Sequence, residues 1–180
     1  MNTFIQEFES HFREGFKQDL HTTFEKLRNE KVYACAFGTD SYWETLFFAV
    51  NTEESLKRHI EKMKEKGIHR GSEQDDVYFR WGCSEFQYGD GHFNHLYKLL
   101  NTTKNVHEYR DEIIKAVAKV VNETDTALFN KFGQSKEDIT FFMSITDDDG
   151  ADELENQSVV LMTSAKLADE FLGRYFWLSE

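Results

Sequence analysis

Phenylalanine returns at every fourth position near the start of this chain, at Phe4, Phe8, Phe12 and Phe16, and the spacing continues through Leu20, Phe24 and Leu27. That period places side chains on one side of an α-helix, so residues 3 to about 30 read as a helix with a single apolar stripe, weakened or bent at Gly15. A stripe so aromatic has to be covered, and the remaining chain must supply the cover. It has the material, since 39% of its residues are apolar and 17 are Phe. A length of 180 residues suits one domain burying roughly 70% of its unfolded surface, and with no Pro anywhere no linker marks a second one.

Val32 to Gly38 and Trp43 to Val50 are β-rich runs separated by Thr39, Asp40, Ser41 and Tyr42, the pattern of a hairpin with a short polar turn. The second run is apolar on both faces and reads as central. Asn51 and Thr52 then offer side-chain oxygens to the amides of a helix that starts at Glu53-Glu54, buries Leu56, Ile60 and Met63, and stops at Gly67. After a polar loop over 68–74, Asp75 to Tyr88 is the densest stretch of the sequence. Alternation places Val77, Phe79 and Trp81 on one strand face and Tyr78 and Arg80 on the other, with a turn at Gly82.

Past the glycine pair Gly89 and Gly91, a short helix is expected over His92 to Leu100. A longer one is capped by Asn105 with Glu108 and runs through Ile113, Val117, Val121 and Phe129 to Gly133. Ile139 to Thr146 reads as a buried strand. Asp149 reads as the cap of a helix through Leu154 and Met162, with a short strand over 159–162 as the alternative, and Ser164 as the cap of a last helix carrying Leu167, Phe171 and Tyr175. The order αββαβααβαα, opened by a hairpin, implies an α+β fold with a mixed or antiparallel sheet of four to five strands packed against helices.

Formal net charge is −12, which opposes phosphate backbones and argues against nucleic acid as a partner. The acidity is local: Glu137 to Glu155 holds eight acids and no Lys or Arg, among them Asp147, Asp148 and Asp149, whereas 21 basic residues face 25 acidic ones elsewhere. A basic protein partner is the expectation, with Glu73, Asp75 and Asp76 assisting. The first residues lack the basic and apolar runs of a secretory signal, and no window approaches the roughly 18 apolar residues of a membrane span. A cytoplasmic protein with no membrane contact is expected, with Cys35 and Cys83 as reduced, buried thiols.

Chemistry has few footholds. Glu85, His92 and His95 are ligand types beside flexible glycines and would be the centre of a metal-dependent hydrolase, but they lack the spacing of a known zinc helix. Reading Asp147-Asp148-Asp149-Gly150 as a calcium loop puts Ile145 at the first ligand position and Asn156 where a bidentate Glu belongs. Gly82-Cys83-Ser84 lacks the glycine frame of a nucleophile turn. No cofactor is expected, and a non-enzymatic interaction module is the leading expectation. Arg80 with Glu85 can form a buried ion pair stacked on Trp81, or Trp81, Phe86 and Tyr88 can form an exposed aromatic anchor with Arg80, so that Arg80, Trp81, Glu85 and Tyr88 are the candidate binding residues here.

The sequence Arg80-Trp81 followed by Glu85-Phe86 and Tyr88 resembles the bacterial family called domain of unknown function 4303, as do the AFGTD strand and the VNTEES helix start. Ser84 and Phe86 stand where members usually carry Pro and a second Trp. The resemblance spans nearly the whole chain and implies no chemistry; some small acidic proteins of related kind accompany bacterial toxins, which would make this one immunity-like.

Overall fold

The computed structural model describes residues 3–89, 93–146 and 150–175. Strands β1 (Val32–Thr39), β2 (Phe47–Thr52) and β3 (Thr140–Ile145) make one mixed sheet in the order β2-β1-β3, with β1 antiparallel to β2 and parallel to β3. Around it lie α1 (Thr3–Lys26), α2 (Glu53–Glu65), α3 (Glu73–Trp81), α4 (Asn94–Thr102), α5 (Arg110–Glu123), α6 (Thr126–Asn130), α7 (Ala151–Met162) and α8 (Ala165–Leu172). The α+β class stands, with three strands among the described residues in place of four to five.

The aromatic stripe of α1 works as its period demands. Phe8, Phe12 and Phe16 stack ring on ring at 6.0 and 5.7 Å, and Phe12 and Phe16 meet Phe37 of β1 and Phe48 of β2 edge-on. Helices α1, α4, α5 and α6 thus bury one face of the sheet, where Cys35, Phe37, Val50, Phe141 and Met143 project. The other face, with Ala34, Ala36 and Phe142, is covered by Leu56 of α2, Phe79 of α3 and Ala168 and Phe171 of α8. Both thiols are free and buried as expected.

The missing strand is Asp75 to Tyr88, which is helical up to Trp81. Ser72 accepts the Asp75 amide at 3.1 Å, and the Asp75 carboxylate accepts the backbone amides of Arg70 at 2.7 Å and Ser72 at 3.4 Å. This capping box, with Glu73, Asp75 and Asp76 in the first turn against the helix dipole, favours a helix over the strand that the alternating side chains suggest. What survives of the strand is one antiparallel bridge between Tyr88 and Val50. Gly89 permits it, at φ +140° with its Cα so near the Phe48 carbonyl that a Cβ would sit 2.1 Å from that oxygen.

Other departures have equally local causes. The Trp43–Val50 run is an edge strand, not the central one, and pairs only from Phe47, because the Asp40 carboxylate gathers the Tyr42 and Glu44 amides and the Thr45 hydroxyl and holds the preceding residues in a turn. The central strand is β1, whose eight residues are all buried. Asn105 does not cap α5: it is left-handed at φ 55°, its amide reaches the Glu108 side chain, and a 3₁₀ turn over Val106–Tyr109 intervenes. Asp125 accepts the Ala127 amide at 2.8 Å and so starts α6 afresh, splitting the expected long helix. Residues 159–162 belong to α7, a helix.

Both sheet edges are managed. On the free side of β3, the Ser158 and Thr163 hydroxyls accept the backbone amides of Met143 and Phe141, each at 2.8 Å. Helix α7 and the residue after it therefore serve as the neighbour a fourth strand would have been, with Leu154 in one core and Val159 in the other.

Candidate functional site

At the start of β1 the pairing register shifts between Val32 and Ala34, leaving Tyr33 as an extra residue. Such a bulge re-aims a side chain. Tyr33 and Ala34 consequently face the same core, and the Tyr33 hydroxyl donates to the Arg80 carbonyl at 2.6 Å while accepting from the Asn51 amide at 3.0 Å. Burial pushes the Tyr33 phenol well above its ordinary range, so it stays a donor.

A cleft of about 490 Å³ opens here between the end of α3, the start of α2 and the exposed side of α8. Tyr33, Val77, Arg80 and Trp81 line it together with Leu167, while Glu53, Asp138 and Glu170 contribute carboxylates and Lys31 and Lys166 contribute ammonium groups. The Arg80 guanidinium lies 4.3 Å from the Tyr33 ring centre and 5.3 Å from that of Trp81. It binds both oxygens of Glu53, at 2.8 and 3.1 Å, and this bidentate bond holds the Glu53 carboxyl below its usual range. Trp81 packs edge-on against Phe171 at 4.9 Å. The side chains of Arg80 and Glu53 remain 36% and 39% exposed, so the pair sits at a mouth and not in the core.

The sequence's candidate cluster is thereby divided. Arg80 pairs with Glu53, and Glu85 is bound instead to His59 and to the Tyr78 hydroxyl, each at 2.9 Å. The expected Arg80–Glu85 ion pair is not formed, because in a helix followed by a 3₁₀ turn the two side chains leave in different directions. Tyr88 lies beyond α2, where its hydroxyl donates to Glu30 at 3.0 Å and accepts from Arg58 at 3.0 Å.

The hydrolase centre does not assemble among the described residues. His95 stacks on His11 of α1 at 5.8 Å, while Glu85 is engaged by α2 and α3, and His92 falls outside the described residues. Among the described residues no three His, Cys, Asp or Glu side chains approach closely enough to hold a metal ion. No described helix is long and apolar enough to cross a membrane.

The acid run is also divided. Asp147, Asp148 and Asp149 fall outside the described residues, and Asp149 with them as a cap; Gly150 occupies the N-cap position of α7. Glu137 and Asp138 precede β3 and Asp152 and Glu153 follow it, all exposed. Glu155 turns inward, where it accepts the Ser144 hydroxyl at 2.6 Å and an Arg174 nitrogen at 2.8 Å. Burial pushes its carboxyl up, outweighing both of those partners. Asp75 and Asp76 are likewise engaged within the chain, at the α3 cap and on His69.

Tyr33 and Glu53, which complete the cleft, carry no mark in the sequence beyond their places in an expected strand and helix start. No curated protein and no solved structure matches the chain. A family model described as a domain of unknown function, DUF4303, matches residues 13–162, and the chain belongs to that family.

Proposed function

We propose that this protein is a non-catalytic interaction module that captures a basic protein partner, in the manner of an immunity protein neutralising a toxin. Its acidic side chains, with Asp147, Asp148 and Asp149 among them, draw the partner in, and the cleft beside Arg80 and Trp81 anchors it. The observation that carries this reading is the fixed, half-exposed Arg80. Stacked on two aromatic rings and held by both oxygens of Glu53, it is an Arg and aromatic anchor whose ordering entropy is already spent before a partner arrives. A Lys or Arg entering the cleft meets the carboxylates of Glu53, Asp138 and Glu170. Net charge of −12 supplies the long-range attraction.

The test is capture from an extract of the native host at low salt, followed by titration of the recovered protein. A basic partner should be retained by wild type and lost when Asp147, Asp148 and Asp149 become Asn. Affinity should fall about tenfold or more in that variant, with the gap narrowing as salt rises. Retention unchanged by the triple substitution overturns the reading.

A further inference from the structure

The turn that joins α2 to α3 is built around one buried imidazole, that of His69. The backbone amides of His69 and Ile68 both reach the Met63 carbonyl of α2, at 3.1 and 2.9 Å, and the His69 ring stacks on Phe79 of α3 with centres 5.4 Å apart. Its two ring nitrogens have different partners. Nδ1 lies 3.0 Å from the Gly71 amide nitrogen, and Nε2 lies 2.8 Å from Asp76 Oδ1. A backbone N–H can only donate, so Nδ1 carries no proton and Nε2 carries the one that goes to Asp76. The ring is held neutral, in one fixed tautomer.

A second proton has one place to go, and that place is taken. On Nδ1 it would face the Gly71 N–H, donor against donor, and the bond that closes the turn would be lost. The new N–H then needs an acceptor, and Asp75 Oδ2 lies 3.9 Å from Nδ1. That same oxygen accepts the Arg70 amide at 2.7 Å and the Ser72 amide at 3.4 Å, at the capped start of α3. These bonds, the Arg70 amide foremost, hold the Asp75 carboxyl below its usual range, so it keeps its charge into acid solution. On the α2 side, His59 meets the same Phe79 ring edge-on at 5.4 Å and is itself bonded to Glu85. One oxygen atom is thus claimed by two alternative arrangements of the turn.

We propose that His69 is a proton-operated latch on the α2–α3 turn. Neutral, it closes the turn through Gly71 and leaves Asp75 to cap α3; protonated, it releases Gly71 and draws Asp75 Oδ2 from the cap. The proton comes from solvent and returns to it. Helix α3 runs from this latch to Val77, Arg80 and Trp81 at the cleft, so acid loosens the start of the helix that carries that wall.

Nitrogen-15 spectra of the imidazoles and amide exchange, followed over about pH 5–8, give the test. At the upper end His69 should show the tautomer protonated at Nε2 alone. As it takes up a second proton, protection of the Gly71 and Arg70 amides, corrected for the intrinsic effect of pH, should fall roughly tenfold, the worth of one hydrogen bond at each. His69→Asn keeps an acceptor two residues before the Gly71 amide, as an Asx turn does, but cannot titrate, and in it this protection should not respond to pH. The exposed His107→Asn should leave the wild-type response unchanged. A proton on Nδ1 at the upper end, a His69 ring that takes up no proton across the range, or a titration that leaves Gly71 protected overturns the assignment, and the wild-type spectra alone decide these three. A response that persists in His69→Asn overturns it as well.

Discussion

Removing the cation of a buried pair should cost far more than removing the pair, and Arg174 with Glu155 is where this chain tests that rule. Their side chains are 1% and 7% exposed. Arg174 gives hydrogen bonds to Glu155 at 2.8 Å, Asn156 at 2.7 Å and the Phe171 carbonyl at 3.0 Å, with its guanidinium 3.9 Å from the Phe171 ring centre. Arg174→Met preserves much of the volume but leaves the Glu155 carboxylate in the interior with the Ser144 hydroxyl to solvate it. Stranding a charge in this way costs about 3–5 kcal/mol. In a domain of this size that lowers the melting temperature by roughly 6–20 °C. Replacing both residues, as Arg174→Met with Glu155→Leu, should recover most of the loss, because the desolvation cost of both ions disappears together. The sign of the pH dependence follows from Glu155, whose folded carboxyl already lies above its ordinary value because of burial, and higher still without Arg174. A raised carboxyl favours the protonated form, so the single variant is least impaired below the ordinary carboxyl range and loses stability as pH rises through the folded value. Thermal and urea unfolding of the three proteins from acid to mildly alkaline pH measure this. A single variant that melts within about 2 °C of wild type, or a double variant no better than the single, refutes the reasoning.

Ser158→Ala and Thr163→Ala should each cost about 1–3 kcal/mol, since each leaves a buried β3 amide without its acceptor, and amide exchange should quicken selectively at Met143 and Phe141. At the cleft, Trp81→Ala should cost about 2 kcal/mol, less than a full core truncation because the indole is only partly buried, whereas Arg80→Ala should cost under about 1 kcal/mol for a solvent-screened pair. Urea unfolding separates these two, and equal losses would return Arg80 to the core.

The parts of this fold that were legible from sequence are those where a single period acts alone. The α1 stripe, the Glu53 helix with its Thr52 cap, β1 and the β3 run all stand as read, within a few residues at their ends. Over Asp75 to Tyr88 two signals compete. Val77, Phe79 and Trp81 alternate like a strand, yet Ser72 with Asp75 writes a capping box, whose hydrogen bonds satisfy a helix start within the segment itself. With that segment helical, the sheet has three strands among the described residues. The site was legible only in its residue types: Arg80 and Trp81 do line one cleft, but their partners Tyr33 and Glu53 arrive through a β-bulge and a helix start that no periodicity announces. Arg174, which satisfies Glu155, was invisible for the same reason.

Helix α2 starts between Arg80 and the Arg58–Tyr88 pair, and the polar residues beneath it explain why both are held in place. Thr52 donates to Glu30 at 2.5 Å, Ser55 donates to Asn51 at 2.5 Å, Asn51 donates to Tyr33 at 3.0 Å, and Tyr33 donates to the Arg80 carbonyl at 2.6 Å. The Thr52 and Ser55 hydroxyls lie 2.9 Å apart and close the gap between the two halves. Asn51, Thr52 and Ser55 are each 2% exposed or less. An unpaired polar group at such depth would be costly, but each of these has a partner, and in a low-dielectric interior a satisfied chain of this kind is rigid. Glu30 stands at one end, where hydrogen bonds from Thr52, Arg58 and Tyr88 outweigh its burial and hold its carboxyl below the usual range; it stays ionised and keeps Arg58 in place. Tyr33 stands at the other end and keeps the Arg80 backbone in place. Arg58 and the Arg80 backbone therefore owe their positions to a buried thread of Asn, Thr and Ser side chains beneath the start of α2.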